Sequence, residues 1–478
     1  MYKIKKGEKL MKSMSNLEYH YGIKMRIYPD YRQRQLIELN GNISRTVYNK
    51  LVGIDKELYQ LKKTKHHDDY FKLIDYLVEH KNVNYEFSKF LVDHHYVSNK
   101  TIKQAKAKHC YVYVGNSDLS VNQQRINQLE NRKKMSNLGN HYQYMQNKDI
   151  DSLAKANASQ NYQKAWKMYL SLYGSGTPMF HKKSYAVKYQ TNDCYQANDK
   201  MTLFDGNARF LDKKHIKLPK LGRLRVSGSN YRKFLNRDDV RIGTITIQRD
   251  NTNRYYVSMQ LGSDNPFVGQ VKSTNQQIGI DLNIENFLTT SNGDMINNPR
   301  YYKRKLKRLK SLQRVLSRKQ RRAEKEHRKL RKSKNYQKQR LLVANLQKHI
   351  ANQRLAFINR TVAELVNNHD LLVAEQLQSK NMLKNHALAQ SISDVGWRLF
   401  LQKLQVKGQL LNKQVILVNP RNTTQKCSVC GYLCGSDERQ GKLTLQERKW
   451  TCPVCHTKHV RDVNAAINIL NKGLAQIA

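Results

Sequence analysis

The sequence predicts a multidomain protein of mixed α+β and α/β class, and three features carry that expectation. Between about 180 and 265, "HIKLPKLGRLRVSG", "VRIGTITIQRD" and "RYYVSMQLG" alternate or cluster β-branched and aromatic residues between turn signals such as Asp250–Asn251, the texture of a small sheet or barrel. From 277 to 420, short apolar strand-like runs are separated by long helical patterns. Near the C-terminus stand two CxxC pairs, Cys427/Cys430 and Cys452/Cys455, with 21 residues between them. A length of 478 residues leaves room for roughly two to four domains.

Taken in order, residues 1–20 read as a ragged basic extension, and "YGIKMRIYPD" (21–30) as a strand stopped by Pro29. A helix follows, with Ile43, Val47 and Leu51 at i+4 steps on one face. Residues 53–150 are polar and read as helices with long loops. In "ASQNYQKAWKMYLSLYGSGTP", Ala158, Tyr162, Trp166 and Leu170 form a helical stripe that Gly174, Gly176 and Pro178 end. The strand at 21–28 is expected to pair into the later sheet, leaving 40–175 as a helical insertion.

"QIGIDLNIENFLTTSNGDMI" (277–296) predicts two antiparallel strands, the second ending in the turn Ser291–Asn292–Gly293. Residues 301–340 hold 19 Lys/Arg against 2 Glu, with one thin apolar edge of Leu306, Leu309, Leu312 and Leu316. That edge argues for a helix, and the charge density for phosphates that neutralise it. A second helix runs through Leu342, Leu346 and Ile350 to Val362 and Leu365. "DLLVAEQL" (370–377) and "QVILVNP" (414–420) are strand-like, the first carrying Glu375.

Lys plus Arg number 86 against 37 Asp plus Glu, a net charge of +49. A small anionic metabolite does not call for such an excess; a polyanion does, because each neutralised phosphate releases counterions. Five of the seven cysteines fall within residues 427–455, the pattern of metal ligation in a reducing compartment and not of a disulfide framework. The basic N-terminus lacks a following apolar stretch and no run of about 18 apolar residues occurs, so no membrane span is expected and the cytoplasm is the default location.

Two constellations carry chemistry. The paired CxxC knuckles are spaced as in a zinc ribbon, with four thiolates at about 2.3 Å from a structural Zn²⁺ that keeps no open position. Cys434, His456 and His459 stand close enough in sequence to substitute as ligands. The second constellation is three acids in unlike settings. Asp281 interrupts "IGIDL", Glu375 interrupts "LLVAEQL", and Asp462 opens "DVNAAINIL", whose Val463, Ala466, Ile467 and Leu470 form an apolar stripe. Acids inside apolar strands are costly unless paired or metal-bound. Brought together they repel, and divalent cations such as Mg²⁺ resolve that conflict while leaving positions for phosphate oxygens and water. For Asp462 alone, a helix N-cap is the competing explanation.

These residues carry a family resemblance. "IGIDLNIENFLTTSNG", "LLVAEQLQSKNM", the "CSVCG…CPVC" ribbon and "RDVNAAINIL" occur in the order seen in TnpB-type transposon-associated nucleases and in the miniature type V CRISPR effectors. The resemblance covers about 21–52 and 155–478 and implies an OB-like β-barrel wedge split by a helical recognition insert, then an RNase H-like RuvC nuclease with an inserted zinc ribbon. The implied boundaries are an extension at 1–20, wedge at 21–40, insert at 41–178, wedge at 179–272, RuvC at 273–420, ribbon at 421–460 and the third RuvC motif at 461–478. Asp281, Glu375 and Asp462 then match the Mg²⁺-binding catalytic acids of a two-metal site, and Cys427, Cys430, Cys452 and Cys455 the Zn²⁺ ligands.

The implied activity is RNA-guided DNA cleavage. Guide RNA would lie on basic surfaces that include Lys303, Arg304, Lys307, Arg308, Arg314, Arg318, Arg321 and Arg322. Target double-stranded DNA and its displaced strand are the further partners, recognised through a short flanking motif and through pairing with the guide. The ribbon's Lys442, Arg448, Lys458 and His459 are expected on its surface beside the substrate strand. Two rival readings remain: a guide-directed repressor that no longer cuts, and a guide-independent RuvC-type nuclease or transposase.

Overall fold

Strand β1 (Tyr19–Tyr28) alternates strictly, burying Ile23, Met25 and Ile27 and turning Lys24, Arg26 and Tyr28 outward. Pro29 ends it, and Asp30 starts the next helix. The Asp30 carboxylate accepts from the Gln33 N–H at 2.8 Å, and the Gln33 side chain accepts from the Asp30 N–H at 3.0 Å, a reciprocal capping box. Helix α1 (Tyr31–Lys63) follows, burying Ile43, Val47 and Leu51 as the spacing predicts, and Ile54, Leu58 and Leu61 beyond them. The computed structural model describes residues 12–63, 98–100, 103, 119–195, 201–228, 231–269, 271–376, 394–444 and 446–477. Parts of the 1–20 extension and the 53–150 stretch, and residues 377–382 of the second motif, lie outside the described residues.

Two compact units divide the chain, Met1–Phe267 and Val268–Ala478. In the first, α1 packs with α2 (Leu119–Arg132), α3 (Met135–His141) and α4 (Ser152–Ser171) around a helical core. A buried ion pair, Arg125 Nε to Glu57 at 2.7 Å, joins α2 to α1. Asp151 caps α4 by accepting from the Leu153 N–H at 3.0 Å. Ala158 and Tyr162 are buried, and the Trp166 indole donates to the Tyr162 hydroxyl at 2.6 Å. The expected stripe stops there: Leu170 is 78 % exposed.

The rest of the first unit is β2 (Val187–Asn192), β3 (Arg209–Asp212), β4 (His215–Leu218), β5 (Gly222–Ser227), β6 (Arg241–Arg249) and β7 (Tyr255–Ser263). With β1 they form a seven-stranded sheet of order β2-β6-β7-β1-β5-β4-β3. The early strand does pair into the later sheet: β1 lies antiparallel between β7 and β5, with Met25 opposite Val257 and Ile27 opposite Val226. The β6–β7 turn is closed by Asp250, whose carboxylate accepts from the N–H groups of Thr252 and Arg254.

In the second unit, β8 (Gln277–Asp281), β9 (Asn286–Thr290), β10 (Met295–Asn297), β11 (Leu371–Glu375) and β12 (Gln414–Val418) form a mixed sheet of order β10-β9-β8-β11-β12. The meander has three strands where the sequence predicts two, since the chain turns back at Gly293 (φ 92°) and pairs β10 with β9. β11 is parallel to both β8 and β12, so each connection must cross over. The first crossover carries α5 (Tyr301–Lys325) and α6 (Lys334–Asn368), the second α7 (Trp397–Leu410).

The basic run is thus one helix to Lys325, a turn, and a second helix from Lys334. Leu309 of α5 meets Val343, Leu346 and Ile350 of α6. Leu342 is 53 % exposed, because the i, i+3, i+7 face toward α5 falls on Val343 instead. The eight cationic side chains named above, from Lys303 to Arg322, are all exposed. After β12 come β13 (Lys449–Thr451), β14 (Lys458–Val460) and helix α8 (Arg461–Leu474), which packs on β8 and β11.

Candidate functional site

The site is built on two neighbouring strand ends. In β11 and β8, Ala374 is registered with Ile280, so the next residues, Glu375 and Asp281, close two parallel strands side by side. Both acids are buried at 6 % exposure. Helix α8 can approach the strands closely because its contact residues are small: Ala465 and Ala466 are fully buried, and Gly473 lies against Val373. This approach places Asp462, in the first turn of α8, near the two strand acids. Burial, then the negative charges of Glu375 and Asp462, push the Asp281 carboxyl up to about 8, against the pull of Asn283 and Arg461. The charges of residues 94 and 181 positions further along the chain, Glu375 and Asp462, therefore both act on Asp281.

Each acid has its own partners. Burial raises Glu375, opposed by the Thr423 hydroxyl, which donates to Glu375 Oε1 at 2.5 Å, and by the Lys472 charge. Asp462 Oδ2 lies 3.4 Å from both Asn283 Nδ2 and Arg448 Nη1. Arg448 also donates to Glu285 at 2.6 Å. The capping explanation for Asp462 does not hold: Val460 occupies the N-cap position, and no side chain caps this end. Thr423 and Asn283 escape sequence reasoning. Asn283 sits two residues beyond Asp281 in "DLN", while Thr423 lies in a polar loop without pattern.

The second cluster lies in the ribbon. The Sγ atoms of Cys427, Cys430, Cys452 and Cys455 all lie within 4.8 Å of one another, with Cys427–Cys455 and Cys430–Cys452 at 3.6 Å. Bonds of about 2.3 Å in a tetrahedron give edges of about 3.8 Å, so the donor set fits Zn²⁺. Burial pushes the Cys427 thiol up to about 12, while the Thr457 hydroxyl and N–H pull the Cys455 thiol down to about 6. Among the described residues this is the only group of three or more ligand atoms so close together. The oxygens of Asp281, Glu375 and Asp462 form no such group, since they do not all lie within 4.8 Å of one another.

The alternative ligands fall differently. Cys434 is buried in the ribbon core with Leu443 and Trp450. His459 was expected on the surface but is 8 % exposed, because its Nε2 turns inward to 3.1 Å from Cys427 Sγ and its ring lies against Trp450. Lys442, Arg448 and Lys458 are exposed as expected.

Three family models match: a Cas12f1-like TNB domain at residues 397–469, a probable transposase, OrfB of IS605, at 257–386, and an OrfB IS605 helix-turn-helix domain at 20–64. Over these segments the chain resembles the IS605 OrfB and Cas12f1-like proteins. The transposase match contains β8 and β11 with their acids, and the TNB match contains the four cysteines and Asp462. The helix-turn-helix match falls on β1 and α1, a strand and one unbroken helix.

A relative from Streptomyces pristinaespiralis, named as a candidate RNA-guided DNA endonuclease, is 34 % identical over 236 residues, covering 49 % of this chain and 54 % of the relative. The Escherichia coli (strain K12) protein InsQ, named likewise, is 28 % identical over 302 residues, covering 60 % and 67 %. The chain thus spans about half the length of the first of these relatives, 54 %. A solved structure, the Cas12f1–sgRNA–target DNA complex, aligns over 95 % of this chain and 99 % of its own with a TM-score of 0.43 and 13 % identity, a likeness too weak to bear on the site. Among the described residues, no helix is long and apolar enough to cross a membrane.

Proposed function

We propose that this chain is a TnpB-type, RNA-guided DNA endonuclease with one hydrolytic site made by Asp281, Glu375 and Asp462. The observation that carries this reading is the convergence of three distant acids, two buried at adjacent parallel strand ends and one at a helix start, with Glu375 and Asp462 both within electrostatic reach of Asp281. The mixed sheet order fits the RNase H-like nuclease core that the sequence resemblance implies, and the relatives named as RNA-guided DNA endonucleases support the same class. The seven-stranded sheet with its helices fits the implied wedge and recognition insert.

Carboxylate oxygens are the donors that Mg²⁺ prefers. The chemistry supplied there when two cations are bound is activation of water and stabilisation of the leaving oxygen of a phosphodiester. Thr423 fixes the Glu375 carboxylate, and Asn283 holds Asp462. Arg448, half-exposed beside Asp462, offers a guanidinium to a phosphate of the incoming strand. The exposed cations of α5 bind guide RNA, and the four ribbon cysteines hold structural Zn²⁺.

The test is to sequence RNA that copurifies with the protein, then to assay cleavage of matching DNA in Mg²⁺ with and without that RNA. Cutting should require the RNA, and Asp281→Ala with Glu375→Ala should abolish it while RNA binding persists. Cutting that survives the double substitution, or RNA binding lost along with it, refutes the assignment.

A further inference from the structure

Helix α8 carries more than Asp462. Two turns of one face present Asn464 and Asn468, four residues apart, both buried (1 % and 6 % exposed). Asn464 Oδ1 accepts from the Ser428 N–H at 2.9 Å, and its Nδ2 donates to the Lys426 carbonyl at 2.8 Å. These are the backbone groups on either side of the metal-ligand candidate Cys427. Asn468 Nδ2 donates to the Lys426 carbonyl at 2.6 Å and to the Thr423 carbonyl at 2.9 Å. Thr423, 2 % exposed, is the residue whose hydroxyl holds Glu375. A single chain of hydrogen bonds therefore runs from the Cys427 knuckle through the α8 asparagines to Thr423 and on to Glu375, and α8 itself bears Asp462.

We propose that Asn464 and Asn468 are positioning residues, which clamp the zinc knuckle and the Thr423 loop onto α8 and so set the spacing of Glu375 and Asp462 for divalent cations. The inference rests on the acid trio being the cation site of the preceding reading. Its physical basis is that a carboxamide offers a donor and an acceptor at once, so one side chain can grip two backbone groups of a loop. Buried backbone groups deprived of such partners must shift or stay unsatisfied. Here the loop that would shift is the one that orients Glu375. Without the clamp, the four thiols still close the ribbon but no longer fix where it sits on the helix.

The test uses the full chain with its copurified RNA and the variants Asn464→Ala, Asn468→Ala and Thr423→Val. Three quantities are measured: zinc per chain by atomic absorption, Mn²⁺ affinity by electron paramagnetic resonance, and single-turnover cleavage against Mg²⁺ concentration. Positioning predicts unchanged zinc and RNA binding, Mn²⁺ affinity weakened about tenfold, within the range seen when groups supporting metal ligands are removed, and cleavage partly restored at high Mg²⁺. Asn468→Ala and Thr423→Val combined should cost less than the product of their separate effects, since both act on one loop. Unchanged Mn²⁺ affinity overturns the proposal, as does a fall in zinc content, RNA binding and Mn²⁺ affinity together, which marks a merely structural role. If the parent binds Mn²⁺ but cuts no DNA, the endonuclease reading fails while the affinity shift still decides this one.

Discussion

Replacing Gly279 with alanine tests whether the acid site depends on close packing of α8 against the sheet. A Cβ at residue 279 would stand 2.9 Å from Leu470 Cβ, 3.0 Å from the Ala466 carbonyl carbon and closer still to the Ala466 carbonyl oxygen. The Ala466 oxygen decides the displacement: ordinary contact begins at 3.4 Å, so α8 must retreat by about 1 Å or more, and the obstructing atoms are backbone and Cβ that cannot swing aside. Overpacking of this kind costs about 1–3 kcal/mol, and about 0.4–1 kcal/mol returns from the stiffer unfolded chain, leaving a net loss near ~1–2 kcal/mol. Asp462 rides on α8 while Asp281 rides on the strand that bears Gly279. A misplacement of about 1 Å at a reacting centre costs on the order of 100-fold in rate. Single-turnover cleavage should fall by about that factor with guide RNA binding unchanged, and denaturant unfolding of the second unit should show the loss in stability. Gly22→Ala, where a Cβ meets nothing within 4 Å, serves as the control. Cleavage and unfolding midpoint both indistinguishable from the parent would refute the packing argument.

Three further outcomes are expected. Glu57→Gln leaves the Arg125 guanidinium buried without its carboxylate, and unfolding of the first unit should lose about 3–5 kcal/mol, whereas a change under about 1 kcal/mol would show that the pair is not desolvated. Asp193 is pushed by burial up to about 6, above its ordinary 3.8, so the folded state keeps a proton that the unfolded state releases between those values; stability present below about 3.8 drains away as pH rises to about 6. Asp193→Asn should remove that slope, so denaturation at pH near 4 and near 7 should show the parent losing about 2 kcal/mol more than the variant. Changing Lys303, Arg304, Lys307 and Arg308 to Glu should lower the slope of log affinity for guide RNA against log salt by about 0.7 per lost contact without unfolding the chain, since all four side chains are exposed; an unchanged slope places the RNA elsewhere.

The elements with a strict period are legible in the amino-acid sequence alone. β1 and α1 each show one apolar face over several repeats, and both form where the spacing puts them. The pairing of β1 into a sheet some 200 residues later is open to inference because its apolar face has nothing local to cover it. β10 carries no such signal, since three residues are too few to show alternation. Leu170 and Leu342 depart from the expected burial for a related reason: periodicity marks a face but not which of its residues a neighbouring helix covers. At the site, the acids stand out as charges inside apolar runs, yet Thr423 and Asn283 do not. A hydroxyl or amide in a polar loop carries no pattern until the fold brings a carboxylate beside it.

The placement of the acids bears on whether the chain cuts or only binds. Asp281 is buried beside two more acids, and the opposing pull of Asn283 and Arg461 does not offset what burial and those charges cost. For a protein that only held nucleic acid, asparagine at this position would relieve both the desolvation and the repulsion, so the carboxylate is a cost without a return. The same three groups would become favourable together if cations neutralised them, with nucleic acid phosphates free to complete the coordination. The large positive excess elsewhere does not offset the cost, because the α5 cations are exposed to solvent, and exposed charges are screened over about 10 Å. A binding protein needs only the basic surface, whereas under the reading proposed here the acid cluster gains its purpose where a phosphodiester is brought to it.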